Sequence, residues 1–489
     1  MKIAIAASEC APFAKTGGLA DVIGALPKAL AEIGCEVKVF LPRYSIIDEN
    51  RHSLHYESQI GEIPIRVAGV VRSVHILRST LPQSDVDVFF VDCPHYFYRR
   101  YIYTMDPDED ERYILFCKAV IETMQYMKWV PDVIQCNDWQ TGLIPVFIKE
   151  NYNWDRMFDK TATVMSIHNI AYQGRFPEST LDKAELRRKE YYPGGPYEFY
   201  NTFSFLKTGI IYSEVINTVS ETYAREILTP QFGEGMEKVL WPRQNDLHGV
   251  INGIDYHIWD PETDPHIPFH YNEDKLDQKI KNKELLLKNT TIPFKPNVPL
   301  IGIVSRLVTQ KGFDLIADVL SDLVLLDVQW VLLGSGEDRF ENLFRTIGQA
   351  IPHKFWSYIG FSNELAHLIE AGADMFLMPS HYEPCGLNQM YSLRYGTVPI
   401  VRKTGGLADT VLDWHEFNDQ FIGNGFSFNE SSGYALFTTV KRALDTFKDK
   451  ETWRKIQING MKKDFSWTSS AKKYRLLYEE AYAKRNKNK

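Results

Sequence analysis

Two cations, Arg306 and Lys311, stand five positions apart in SRLVTQKG (residues 305–312), directly after the apolar run LIGIV. At the carboxyl edge of a parallel sheet such a pair suits a diphosphate, one member offering a planar fork and the other a point charge. Solvated surface cations are the plain alternative. In PSHYEPCGLNQMYSLRYG (379–396) a strand ends, Glu383 sits in a turn rich in Pro and Gly, and a helix starts near Leu387. The N–H groups of Gly386 and Leu387 then form an anion cradle beside a carboxylate, fit for a ligand carrying phosphate and hydroxyls, unless Glu383 only caps the helix. CNDWQTGL (136–143) and HNIAYQG (168–174) each put a polar group, Asp138 or His168, at an apolar strand's end, where structural and chemical roles are both open. The heptapeptide KTGGLAD occurs twice, at 15–21 and 403–409, each copy between a strand and an apolar-periodic stretch. Paired glycines at a strand-to-helix turn admit a close ligand, or merely make a tight turn. LLGSGEDR carries two glycines of a dinucleotide fingerprint but Arg339 in place of the third, a weak signal.

The elements that must position these residues follow from the apolar patterning. KIAIAAS, EVKVFLP, VDVFFVD, PDVIQCND, ATVMSIHN and EVINTVS read as strands alternating with amphipathic stretches, the mark of a parallel, helix-covered sheet. After the Pro-rich TIPFKPNVP (291–299) a second series follows: LIGIVSRL, VQWVLLG, WSYIGF, ADMFLMPS and TVPIVR. The fold class is α/β with two doubly wound units, 1–250 and 251–465, joined through the turn-rich INGID region. Helical patterning alone fills the last 60 or so residues, and the segment 466–489 is expected to be a helix returning to the first domain. The acidic run DPDEDE (106–111) reads as a solvated loop leading into a helix.

Composition limits the function classes. The formal charge of −8 argues against nucleic-acid binding, which needs clustered excess Lys and Arg. Six cysteines without CxxC spacing indicate neither a zinc site nor a disulfide framework. No signal-peptide core and no long apolar run stands in the sequence, so a cytoplasmic protein away from membranes is expected, with no metal and no cofactor.

Seven motifs in order, KTGGLADV, NDWQTG, HNIAYQG, INGID, SRLVTQKG, EPCGLNQ and KTGGLADTV, cover almost the whole chain and resemble bacterial glycogen synthase and plant starch synthase. The resemblance implies the GT-B fold, two Rossmann-like domains facing across a cleft. It implies transfer of glucose from ADP-glucose to the 4-hydroxyl at the non-reducing end of an α-1,4-glucan or malto-oligosaccharide, with retention. It marks Asp138, His168, Arg306, Lys311 and Glu383 as catalytic. On the donor it places Lys15, Gly18, Asp21, Asn252, Phe361, Cys385, Gly386, Leu387, Asn388, Thr404 and Gly405. Phe361 stands where the family often has a tyrosine on adenine, so stacking survives and a hydroxyl contact does not. Tyr391, eight positions after Glu383, stands where many transferases using UDP- or GDP-sugars carry a ribose-binding glutamate. Such a transferase and a non-catalytic glucan-binding homologue are the alternatives, and homo-oligomerisation is left open.

Overall fold

The computed structural model describes residues 1–417 and 420–487. Asn488 and Lys489, the end of the expected C-terminal segment, lie outside the described residues. The chain divides into two compact units: Met1–Val219 with Ala224–Gly253 and Trp467–Lys489, and Ser220–Tyr223 with Ile254–Ser466.

The first unit is built on β1 (Lys2–Ala6), β2 (Glu36–Pro42), β3 (Val70–Thr80), β4 (Asp87–Asp92), β5 (Val133–Asn137), β6 (Ala162–Ile167), β7 (Val215–Thr218) and β8 (Leu247–Gly249). Across the sheet these lie in the order β8-β7-β6-β5-β1-β2-β4-β3. All neighbours from β8 to β4 pair in parallel, and β3 runs antiparallel at the edge. Strands β1, β5 and β6 are buried along nearly their whole length, which is why they read as continuous apolar runs and not as alternations. Helix α1 (Gly18–Glu32) follows β1, and α2 (Glu109–Tyr126) precedes β5.

The antiparallel edge, β3 with the strands His55–Tyr56 and Ile63–Val67, falls in a stretch where the sequence analysis expects no strand. Its signal was present. Ile63, Ile65 and Val67 are buried while Pro64 and Arg66 between them are exposed, the period of two of a one-sided strand. The acidic run also departs from expectation. Glu109 and Asp110 are buried: Glu109 pairs with the fully buried Arg112 at 2.5 Å, and Asp110 accepts from the Thr180 hydroxyl and from Lys183. Only its leading part is a surface loop, with Asp106 and Asp108 held by Arg99.

The C-terminal helix (Trp467–Asn486) packs on the first unit, as expected. Tyr478 donates to Gln135 inside the sheet, the amide of Asn217 donates to the Tyr474 hydroxyl, and Lys484 pairs with Asp246 at 2.7 Å. The turn that sends the chain back is tight: a Cβ on Gly253 would stand 2.7 Å from the Trp467 backbone.

The second unit repeats the scheme with β9 (Leu300–Val304), β10 (Gln329–Gly334), β11 (Phe355–Ile359), β12 (Met375–Met378), β13 (Val398–Arg402) and β14 (Phe426–Phe428), ordered β11-β10-β9-β12-β13-β14 and parallel throughout. Helices α3 (Asn388–Arg394) and α4 (Gly405–Thr410) follow β12 and β13. In both units strand order reverses beside the first strand, between β1 and β5 and between β9 and β12. Ligands of doubly wound sheets bind at such switch points, beyond the strands' carboxyl ends.

Candidate functional site

The switch point of the second unit gathers residues far apart in sequence. The loop after β9 carries Arg306 and Lys311, and the loop after β12 carries Glu383. Lys311 Nζ reaches Glu383 Oε2 at 2.5 Å, and the Ser380 hydroxyl donates to the same oxygen at 3.0 Å. Glu383 is 6% exposed and takes no part in capping α3, so the capping alternative does not hold. Arg306 is exposed, and its guanidinium has no hydrogen bond or ion pair among the described residues. Gly386 takes a φ of +72°, the left-handed turn that swings the chain into α3, and its N–H and that of Leu387 donate to no described protein group. The loop after β9 thus brings an exposed guanidinium, the loop after β12 brings free donors, and the two share a charge pair, all at one carboxyl edge of the sheet, where an anion is favoured.

Three contacts hold these loops. Gly312, at φ +75°, lies so close to the β12 end that a Cβ would stand 2.0 Å from the Pro379 carbonyl oxygen. Glu337, from the GSGEDR turn that resembled a nucleotide fingerprint, accepts from Thr309 N–H at 2.8 Å while its own N–H donates to Leu307 O at 2.7 Å. It clamps the loop between the two cations. The Asn388 amide is spent on Val304 O at 2.8 Å, tying α3 to the end of β9. Cys385 is buried, and Phe361 stands 87% exposed beyond β11.

The second KTGGLAD lies beneath Glu383. Cβ atoms on Gly405 and Gly406 would each stand 2.0 Å from a carbonyl oxygen, of Glu383 and Cys385 respectively, and Thr404 is fully buried. Lys403 pairs with Glu416, and Asp409 accepts from the N–H and hydroxyl of Thr222 in the Ser220–Tyr223 segment. The first copy, at the switch point of the first unit, is used differently. Cβ atoms on Gly17 and Gly18 would meet nothing within 4 Å. The exposed Lys15 pairs with the half-buried Asp21 at 2.6 Å, and no side chain caps α1. Identical residues therefore support a loop in one unit and border open space in the other.

Asp138 and His168 close the first unit's switch point. Asp138 has a φ of +55°, uncommon for a residue other than glycine, and marks a strained turn directly after β5. Its Oδ1 accepts the N–H of His168 at 2.8 Å. Burial pushes its carboxyl up to about 7, against the pull of the His168 and Asn169 N–H groups, and the Glu9 charge adds to the rise. The Asn137 amide donates to Ala6 O, which turns its Oδ1 toward His168 Nε2 at 2.9 Å. Nε2 therefore carries the proton, and Nδ1 is a bare, buried acceptor with no described partner. Burial lowers this imidazole to about 4, so it is neutral at neutral pH. Asn252 is buried with its Oδ1 likewise unpartnered. Asn137, which sets the tautomer of His168, and Ser380, Glu337 and Glu9 are not among the residues expected from the sequence.

The profile described as "Starch synthase catalytic domain" matches residues 2–242, and that described as "Glycosyl transferases group 1" matches 288–460. A glycogen synthase of Desulforudis audaxviator is 45% identical over 99% of this chain and 97% of its own length. The chain belongs to the glycogen synthase and starch synthase family. Within that family a glycogen synthase of Thermotoga maritima is 44% identical, with 99% of both chains covered. The catalytic domain of starch synthase IV from Arabidopsis thaliana, solved bound to ADP and acarbose, superposes with a TM-score of 0.89 at 32% identity over 99% of each chain. A sucrose-phosphate synthase of Thermosynechococcus elongatus, at 15% identity and a TM-score of 0.61, shares the fold. The architecture is thus GT-B, as expected. Among the described residues no helix is long and apolar enough to cross a membrane, and no cluster of three or more His, Cys, Asp or Glu could hold a metal ion.

Proposed function

We propose that this glucan-elongating glucosyltransferase takes glucose from ADP-glucose and transfers it, with retention, to the 4-hydroxyl at the non-reducing end of an α-1,4-glucan or malto-oligosaccharide. The observation that supports the reading is the Lys311–Glu383 pair at the second unit's switch point, on loops that also carry Arg306 and the free N–H groups of Gly386 and Leu387. The leaving group is already activated, so the protein stabilises charge and has no need to protonate it. Arg306 and Lys311 neutralise the departing diphosphate, Gly386 and Leu387 donate to its distal phosphate, and Glu383 binds glucose hydroxyls. Phe361 stacks on the base. From the first unit come Lys15, Gly18, Asp21 and Asn252 for the donor, and Asp138 and His168 for the sugar and acceptor, His168 as a neutral acceptor through Nδ1.

The bond from the anomeric carbon to the diphosphate oxygen breaks, and a bond from that carbon to the acceptor oxygen forms on the same face. The acceptor's proton passes to the leaving phosphate oxygen. A retaining glycosidase would need two carboxylates about 5 Å apart, one acting as nucleophile. That would leave Arg306 and Lys311 without a role.

A UDP- or GDP-sugar enzyme is disfavoured by Tyr391, whose ring lies flat on Trp259 with centroids 3.9 Å apart, so that an aromatic stack fills the position a ribose-binding carboxylate would need. A cytoplasmic setting agrees with six free, buried cysteines. The test supplies purified protein with glycogen and either ADP-glucose or UDP-glucose and follows release of each nucleoside diphosphate. ADP release is expected, and turnover confined to UDP-glucose would overturn the donor assignment.

A further inference from the structure

Glu9 ends the segment after β1 and is 4% exposed. Its carboxylate is fully subscribed. Oε1 accepts from the hydroxyls of Thr16 and Tyr103, each at 2.6 Å, and Oε2 accepts from the N–H groups of Thr16 at 2.5 Å and Gly17 at 2.9 Å. A carboxylate offers about four lone-pair sites, so none is left for a substrate. Tyr103 is held from behind by the Ser8 hydroxyl at 2.8 Å and belongs to the loop of residues 99–106, which lines a hollow of about 520 Å³. Glu9 therefore fixes three things at once: the Thr16–Gly17 turn, the Tyr103 loop, and the start of α1, whose Gly18 faces open space.

We propose that Glu9 is a positioning residue for the donor. By holding the Thr16–Gly17 turn on one side and Tyr103 on the other, it keeps Lys15, Gly18 and the first turn of α1 set for the sugar nucleotide without touching it. This rests on the donor-side reading of the first KTGGLAD. Preorganised groups of this kind govern rate steeply, since misplacement by about 1 Å costs about 10²-fold.

The test compares Glu9→Ala with Glu9→Gln. The glutamine amide oxygen can accept from the Thr16 and Gly17 N–H groups while its NH₂ donates to the Thr16 and Tyr103 hydroxyls, which reverse their roles. Glu9→Ala is expected to lose about 10²-fold in kcat/KM for the donor with the glucan KM unmoved, and Glu9→Gln to recover to within about 10-fold of the parent. Tyr103→Phe, a milder change should Glu9→Ala fail to fold, is expected to raise the donor KM about 5-fold and to add nothing in the Glu9→Ala background. The idea is overturned if Glu9→Gln is as poor as Glu9→Ala, which would mean that the charge itself acts on substrate. It is equally overturned if either Glu9→Ala or Tyr103→Phe has the parent's donor kinetics. The comparison uses whichever sugar nucleotide the parent protein turns over, so rejection of ADP-glucose would remove the donor assignment and leave this test intact.

Discussion

Placing an alanine in each KTGGLAD should separate stability from activity. At Gly405 a Cβ would stand 2.0 Å from the Glu383 carbonyl oxygen, while unstrained contacts of this kind need more than about 3 Å, so one backbone must move by about 1 Å. The residue also holds a φ of +46°, which costs an L side chain about 1 to 2 kcal/mol. Relief of the overlap adds about 1 to 3 kcal/mol. Gly405→Ala is therefore expected to destabilise the second unit by about 2 to 5 kcal/mol and to displace Glu383 enough to abolish most turnover. Gly18→Ala meets nothing within 4 Å and lies at the start of a helix, where alanine is the better helix former, so its stability should be unchanged or higher by up to about 1 kcal/mol. Its methyl nevertheless protrudes where the donor is proposed to lie, and activity should fall at least about 10-fold. Urea unfolding of both variants, paired with ADP release in the presence of glycogen, reads both quantities. An unchanged unfolding midpoint for Gly405→Ala, or equal destabilisation by both alanines, would refute the assignment of opposite roles.

Further outcomes are expected. Lys311→Ala and Glu383→Ala should each give a folded protein with at most about 1% of parent activity, on the scale of removing one preorganised donor; normal turnover by either would dissolve the site. Phe361→Ala should leave the unfolding midpoint unchanged, because the ring is 87% exposed, and raise the donor KM about 5- to 10-fold through lost stacking. Asp138 has a folded-state value near 7, above its unfolded value, so its burial costs stability as pH rises from about 4 to 7, by at most about 4 kcal/mol. His168 is lowered to about 4, so it costs stability as pH falls from about 6.5 to 4, and the two nearly cancel in that window. Asp138→Asn should unmask a loss of stability below pH 6.5, followed by denaturation at a series of pH values; a profile identical to the parent's would contradict the buried, shifted carboxyl. In the parent, kcat/KM should climb as pH rises through about 7, where Asp138 ionises to face the positive charge growing on the sugar.

Much of the candidate site's placement was legible because doubly wound sheets display their loop residues at strand ends, and a strand buried on both faces announces its end in one dimension. LIGIV followed by SRLVTQKG placed Arg306 and Lys311, and ADMFLMPS placed the turn bearing Glu383. The antiparallel edge could have been read from the alternation of Ile63, Ile65 and Val67. By contrast, the burial of Asp110 in DPDEDE could not be read locally, because its partners Thr180 and Lys183 lie 70 and 73 residues away.

By itself the sequence determined two doubly wound units, the order of their motifs, and the family those motifs carry, since each depends on patterns within a few residues. Only tertiary structure decided what each motif faces. The seven residues of KTGGLAD are chemically the same in both copies, yet Gly405 lies under the Glu383 carbonyl and Gly18 borders open space. Glu9 is saturated by groups up to 94 residues away, and Lys311 finds Glu383 across 72. Close approach of two backbones, and the filling of every lone pair on a buried carboxylate, are properties of what packs opposite a residue, and no local pattern encodes them.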